Sequence, residues 1–196
     1  MKKTINVAIY IYDNAEVLDF SGPFEVFATA GRLSKNTTFN VFLISEKDNI
    51  VSARAGFQVK ANYTVKNHPD IDVLIVVGGI HSEELNKPDV IAWIAKQATE
   101  VNYITSVCTG AFLLAQAKVI TDHQVTSHWE DLHELQTMFP SLTVIPDVRF
   151  VELGNIITSA GIAAGIDMSL HLVSKLVDEK LAIMTAKQMD YPWLVD

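Results

Sequence analysis

The sequence predicts an α/β protein with a mostly parallel sheet sandwiched by helices. Val73-Leu74-Ile75-Val76-Val77, bounded by Asp72 and by Gly78-Gly79, has the β-branched composition of a strand buried on both faces. Strand-like and helix-like segments alternate along the whole chain, which is the pattern of a parallel sheet covered on two sides. The lone cysteine, Cys108, stands at the junction of one such strand and the next helix.

The elements follow in order. Val7 to Tyr12 is an apolar run ending at the turn residues Asp13-Asn14, a buried strand. Leu18 to Leu33 reads as a helix capped by Ser21 or Gly22, with Pro23 in its first turn and Phe24, Phe27, Ala28 and Gly31 on one face. Phe39 to Ser45 is a second strand, and Ser52 to Val65 alternates like a hairpin or a pair of short edge strands. Pro88-Asp89 opens a helix to about Ala98, with Ile91, Ile94 and Ala95 inward. Val101 to Val107 is a strand and Gly110 to Ala117 a helix. Further helices are expected over His128 to Met138 and from Gly161 to about Lys180, with short strands around Val144, Phe150 and Ile156. With no repeat or linker, the 196 residues fit one domain spanning the chain, 1–196.

Composition narrows the function. Fifteen Lys and Arg against 23 Asp and Glu give a formal charge of −8 with no basic cluster, which disfavours nucleic acid and anionic membrane as partners. One cysteine cannot close an intrachain disulfide or supply a thiolate zinc site. Met1-Lys2-Lys3 carries the charge of a signal peptide, but the apolar stretch behind it is short and interrupted by Asn6, Asp13 and Asn14. No run of about 18 apolar residues is present. A cytoplasmic location is expected.

Ser106-Val107-Cys108-Thr109-Gly110 is the chemically informative segment. A nucleophile on a sharp strand-to-helix turn needs small residues two positions away, and Ser106 and Gly110 meet that need. A helix N-terminus behind the sulfur would favour thiolate. A lone cysteine can equally be a small buried filler. Gly78-Gly79 would lie beside this turn and could, with the Thr109 N–H, form an oxyanion-type hole, or be a plain tight turn. Asp19 is a carboxylate inside the apolar Val17-Leu18-Asp19-Phe20, where burial would raise its pKa toward that of a proton donor; periodicity alone favours a helix N-cap or an exposed acid. His128, in Thr126-Ser127-His128-Trp129, is the one histidine with a route to the site, as a supporting residue. His128 and His133 lack zinc-helix spacing, and His68 and His81 read as loop residues, so no metal is expected. Trp129 and Tyr191-Pro192-Trp193 could shape a pocket or an interface, though packing suffices for them.

The Cys108 elbow, the Val77-Gly78-Gly79 strand end and Leu18-Asp19-Phe20-Ser21-Gly22-Pro23 resemble the ThiJ/PfpI superfamily, from about Val7 to beyond His171. Thr126 to Trp129 and Ser159 to Asp167 share in the likeness. The resemblance implies a flavodoxin-like, glutamine-amidotransferase-like fold, a cysteine nucleophile at Cys108, an acid/base partner at Asp19 and a contribution from Thr109. It also implies a small-molecule substrate, a homodimer and no cofactor. Within the superfamily, Asp-x-x-Gly-Pro and Cys-Thr-Gly resemble isonitrile hydratases, lyases that add water to an isonitrile to give an N-substituted formamide. They equally resemble the amidase-like sensor halves of AraC-type regulators. Those regulators add a DNA-binding module of roughly a hundred residues, for which a chain ending at Asp196 leaves no space. Peptidase-like members carry His after the cysteine, where Thr109 stands, so proteolysis is not expected. The expected function is a hydro-lyase of isonitrile hydratase type. The alternatives are another thiol-dependent enzyme, amidase-like or acting on carbonyl damage, and a non-catalytic redox or ligand sensor.

Overall fold

The computed structural model describes residues 2–47 and 50–193; Met1 and Asp196 lie outside the described residues. The apolar run near the N-terminus forms β1 (Lys3–Tyr10), whose inner half is fully buried. It lies near the middle of a seven-stranded sheet ordered β10-β11-β7-β6-β1-β2-β5. The other strands are β2 (Thr37–Ser45), β5 (Tyr63–Thr64), β6 (Val73–Val76), β7 (Tyr103–Val107), β10 (Phe150–Leu153) and β11 (Ile156–Ser159). All neighbours pair in parallel except β10 with β11. The expected hairpin between Ser52 and Val65 is divided. β3 (Ile50–Ser52) and β4 (Gln58–Lys60) pair with each other, while β5 joins the sheet edge. A small parallel pair, β8 (Gln124–Val125) and β9 (Thr143–Val144), completes the strands among the described residues.

Helices sandwich the sheet. α1 (Val17–Leu33), α5 (Ala164–Leu176) and α6 (Glu179–Gln188) pack together on one side. α2 (Pro88–Ala98) and α3 (Gly110–Gln116) form the group on the other, and α4 (Leu132–Met138) packs beside β9. The β-branched strand interiors and the apolar helix faces make one continuous core, which includes Tyr10, Phe27, Leu74, Ile75 and Phe112.

Several boundaries differ from expectation for physical reasons. α1 starts before Ser21 and Gly22, so neither caps it; the Ser21 hydroxyl instead donates to the Val17 carbonyl at 2.8 Å. Pro23 lies inside this helix, where it removes one intrahelical donor. The helix expected from His128 begins as a 3-10 turn, Trp129–Asp131, and becomes α-helical at Leu132. The long helix expected from Gly161 breaks at Val177 and Asp178, and Asp178 caps α6 by accepting from the Leu181 N–H at 2.7 Å. On α2 the buried face is Val90, Trp93, Ile94 and Gln97, with Ile91 and Ala95 half-buried. No helix among the described residues is long and apolar enough to cross a membrane.

Candidate active site

β6 and β7 run side by side and end together, so the turns that follow them are neighbours at the carboxyl edge of the sheet. Ligands of open α/β sheets bind at that edge. Cys108 follows β7 with φ at +57°, a left-handed conformation that an ordinary residue keeps only when its surroundings hold it. The restraints are visible. The Cys108 N–H points at the carbonyls of Ser159 (3.1 Å) and Ala160 (3.3 Å), and its own carbonyl accepts from the buried Ser127 hydroxyl at 2.9 Å. Gly110 permits the close approach of β6, because a Cβ there would stand 2.1 Å from the Val76 carbonyl oxygen. A strained strand-to-helix turn is thus built at Cys108, between the small residues Ser106 and Gly110.

Gly78-Gly79 does lie beside the turn, but its amides are engaged. The Gly78 N–H donates to Asp19 Oδ2 at 3.0 Å, and the Gly79 N–H donates to the Thr109 hydroxyl at 2.9 Å. That hydroxyl donates in turn to the Gly79 carbonyl at 3.0 Å. The glycine pair therefore holds the acid and the elbow, and the expectation that its amides would face a substrate is corrected. Glycine is still required at 78, where a Cβ would come within 2.5 Å of the Thr109 nitrogen.

Asp19 is neither a cap nor an exposed acid. It is 0% exposed, in the first turn of α1, and both carboxylate oxygens are occupied: Oδ2 by Gly78 and Oδ1 by the Ile162 N–H at 3.0 Å. Its negative charge acts on the nearby Cys108 sulfur. Burial pushes its pKa up to about 7, against the lowering effect of the two backbone donors.

The sulfur behaves differently from the thiolate expected. Burial and then the negative charge of Asp19 push the Cys108 thiol upward, and the Thr109 N–H offsets only part of this. α3 is only seven residues long, so the partial charge at its end is outweighed by desolvation. The resting group is a neutral thiol next to a carboxyl whose proton is exchangeable near neutral pH.

A cavity of about 530 Å³ opens onto Cys108 and Thr109. Its walls include Arg54, Ile80, His128, Trp129 and Ile162. Arg54 and Glu16 form a 3.8 Å ion pair at its rim, and Trp129 is 74% exposed. His128 lines the cavity with Nδ1 3.4 Å from Asp131, and its ring occupies the space that a Cβ on Gly161 would need. A larger cavity of about 760 Å³, lined by His68, Trp93 and Asn102, lies by the opposite ends of β6 and β7.

The sequence assigns no role to three contributors. Ile162, at φ +58°, supplies an amide to Asp19 from a residue type that rarely adopts this conformation. Ser127 fixes the elbow carbonyl, and His81, read as a loop residue, is buried against Phe112 with ring centroids 4.3 Å apart and borders the cavity. The signals were faint: Gly161 before Ile162, and a serine beside the histidine already singled out.

Comparison with known proteins bears on the family and the fold. Residues 5–175 match the model of the DJ-1/PfpI family. An isonitrile hydratase of Pseudomonas putida is 31% identical over 190 residues, covering 95% of this chain and 78% of that protein. The HTH-type transcriptional regulator GbdR of Pseudomonas aeruginosa is 25% identical over 186 residues, of which this chain spans 50% of the regulator's length. Among solved structures, a THiJ/PfpI family protein from Pseudomonas syringae superposes with a TM-score of 0.86 at 26% identity, covering 99% of this chain and 78% of the other. Drosophila melanogaster DJ-1beta superposes with a TM-score of 0.83 at 18% identity, covering 98% of this chain and 100% of the other, and shares the fold.

Proposed function

The chain belongs to the DJ-1/PfpI family, and from that premise we propose that it is a cysteine-dependent hydro-lyase that adds water to an isonitrile. The observation that carries the reading is the fully buried Asp19 carboxyl, held by the Gly78 and Ile162 amides and acting electrostatically on Cys108, the one cysteine, which lines a cavity. A nucleophile and a proton carrier that titrates near neutral pH are the two groups this reaction needs.

The terminal carbon of R–N≡C receives both a sulfur and a hydrogen. The Cys108 proton passes through Asp19 to that carbon as the sulfur bonds to it; the lone pair on the carbon becomes the new C–H bond, and one C–N π pair becomes the nitrogen lone pair. The product is a neutral thioimidate, R–N=CH–S–Cys108. Water then attacks the same carbon as Asp19 accepts one of its protons and hands a proton to the nitrogen, so that the C–N π pair becomes the N–H bond and the oxygen keeps the other water proton. Collapse of the R–NH–CH(OH)–S adduct forms the carbonyl and breaks the C–S bond. The sulfur recovers a proton, releasing R–NH–CHO. The Thr109 N–H steadies the sulfur when it is charged. No proton is gained or lost over the cycle beyond those of water.

Formamide release should be measured across a panel of isonitriles, simple amides and dicarbonyls, with Cys108→Ala as control. Hydration of isonitriles that vanishes in the variant supports the reading. Retained hydration in Cys108→Ala rules out the scheme, and turnover confined to amides or dicarbonyls moves the assignment to another thiol-dependent reaction. The likeness to half of GbdR motivates a second reading, a ligand sensor, for which saturable binding without turnover is the sign. The proposal includes a small-molecule substrate and a homodimer, the latter tested by analytical ultracentrifugation.

A further inference from the structure

We infer that Arg149 is a positioning residue for the Asp19 carboxyl, acting through the turn that carries Ile162. This rests on the reading of Asp19 as the acid–base partner of Cys108. Asp19 is held by two amides, and the one from Ile162 comes from a β-branched residue at φ +58°. Such a conformation is unfavourable for a β-branched residue and persists only where neighbours impose it. Something must therefore hold residues 160–167 in place.

Arg149 holds that segment at both ends. Its carbonyl accepts from the Ala160 N–H at 2.9 Å, before the turn. Its guanidinium engages Asp167 beyond the turn, with Nε 2.6 Å from Asp167 Oδ2 and an ion pair from the terminal nitrogen to the same oxygen. Tyr191, from the segment after α6, closes the clasp: its hydroxyl donates to Asp167 Oδ2 at 3.1 Å and stands 3.5 Å from the Ala163 carbonyl. The Arg149 guanidinium also reaches that hydroxyl at 3.4 Å. On the other side the His128 ring packs against Gly161. Ile162 is thus enclosed between contacts that converge on one arginine and one carboxylate. Neither touches the sulfur.

The readout is the pH–rate profile of Cys108 alkylation by iodoacetamide, which reports this sole thiol and needs no isonitrile. The charged or titratable groups facing Asp19 are Glu16 from its own helix, Cys108 from the elbow and Tyr12 from the end of β1. Asp19→Asn identifies the inflection due to Asp19 by removing it. In Arg149→Gln the Ile162 amide loses its hold on the carboxylate, and the inflection moves up by as much as about one pH unit. Arg149→Lys restores part of the shift, because one ammonium replaces the fork. Tyr191→Phe moves it in the same direction by less, and it carries the test should Arg149→Gln not fold. A merely structural arginine would lower the melting temperature and leave the inflection unmoved. Superimposable profiles for wild type and the folded variants overturn the inference. Absence of isonitrile turnover with these shifts intact sinks the hydratase reading and leaves this one standing.

Discussion

The backbone N–H of Gly78 lies 3.0 Å from Oδ2 of Asp19, so a glycine that could have faced substrate fixes the acid instead. The acid is thereby fixed beside the elbow from a helix, α1, that precedes it by some ninety residues in the chain. Replacing it separates shape from proton transfer. Asp19→Asn should lower isonitrile hydration by roughly 10²- to 10⁴-fold, the usual weight of a general acid–base group. An undiminished rate in a kinetic assay removes Asp19 from the mechanism.

The same carboxyl makes stability depend on pH. Its folded pKa is raised from 3.8 to about 7, so the folded state favours the protonated form. That contribution is fully present below pH 3.8 and is lost as pH rises through about 7. The shift corresponds to ~4 kcal/mol between those limits. Urea titrations at pH 5 and pH 8 should show Asp19→Asn gaining stability relative to wild type as pH rises. The amide NH₂ that Asn presents to one of the two backbone donors lowers the variant's stability equally at both pH values and leaves the change with pH intact. A difference that does not change with pH contradicts the buried-acid account.

Gly110→Ala places a Cβ 2.1 Å from the Val76 carbonyl oxygen, and rigid backbone is what it meets. The variant should lose at least about 3 kcal/mol, through overpacking and separation of β6 from the elbow. Thermal unfolding followed by circular dichroism reads this directly. A melting temperature within a degree or two of wild type refutes the close approach.

Thr109→Val keeps the volume of the side chain and removes the hydroxyl that bonds both the N–H and the carbonyl of Gly79. Two backbone groups lose their partner, at roughly 1–3 kcal/mol of stability for each one left buried. The Thr109 N–H is retained, so turnover should fall by less than the ~100-fold typical of losing an oxyanion donor. A larger fall with unchanged stability would give the hydroxyl a chemical part beyond bracing the turn.

Ser127→Ala frees the Cys108 carbonyl from its 2.9 Å hydrogen bond. The left-handed elbow relaxes more often, and amide hydrogen exchange at residues 108 to 110 should accelerate by roughly tenfold. Exchange identical to wild type would show that the Ser159 and Ala160 carbonyls suffice.

The sheet was legible because its strands are short, β-branched and bounded by turn residues. Val73 to Val76 could be read without any partner in view. The elbow was legible for the same local reason, since Ser106 and Gly110 state their small size in the sequence. What escaped was decided at long range. Asp19 looks like a cap in its own neighbourhood and becomes a buried acid only because Gly78 and Ile162, 59 and 143 positions away, donate to it. The protonation of Cys108 could not be read either. The helix end argued for thiolate, and burial, which depends on the whole fold, decides for thiol.

The left-handed turn at Cys108 is secured by Ser127, Ser159 and Ala160, while its acid is secured by Gly78 and Ile162. A chain emerging from synthesis has the full set of these anchors only once residue 162 has emerged and docked. A half-made or partly unfolded copy would carry a commonplace cysteine with no acid beside it. The left-handed turn and the buried carboxyl beside it therefore exist together or not at all.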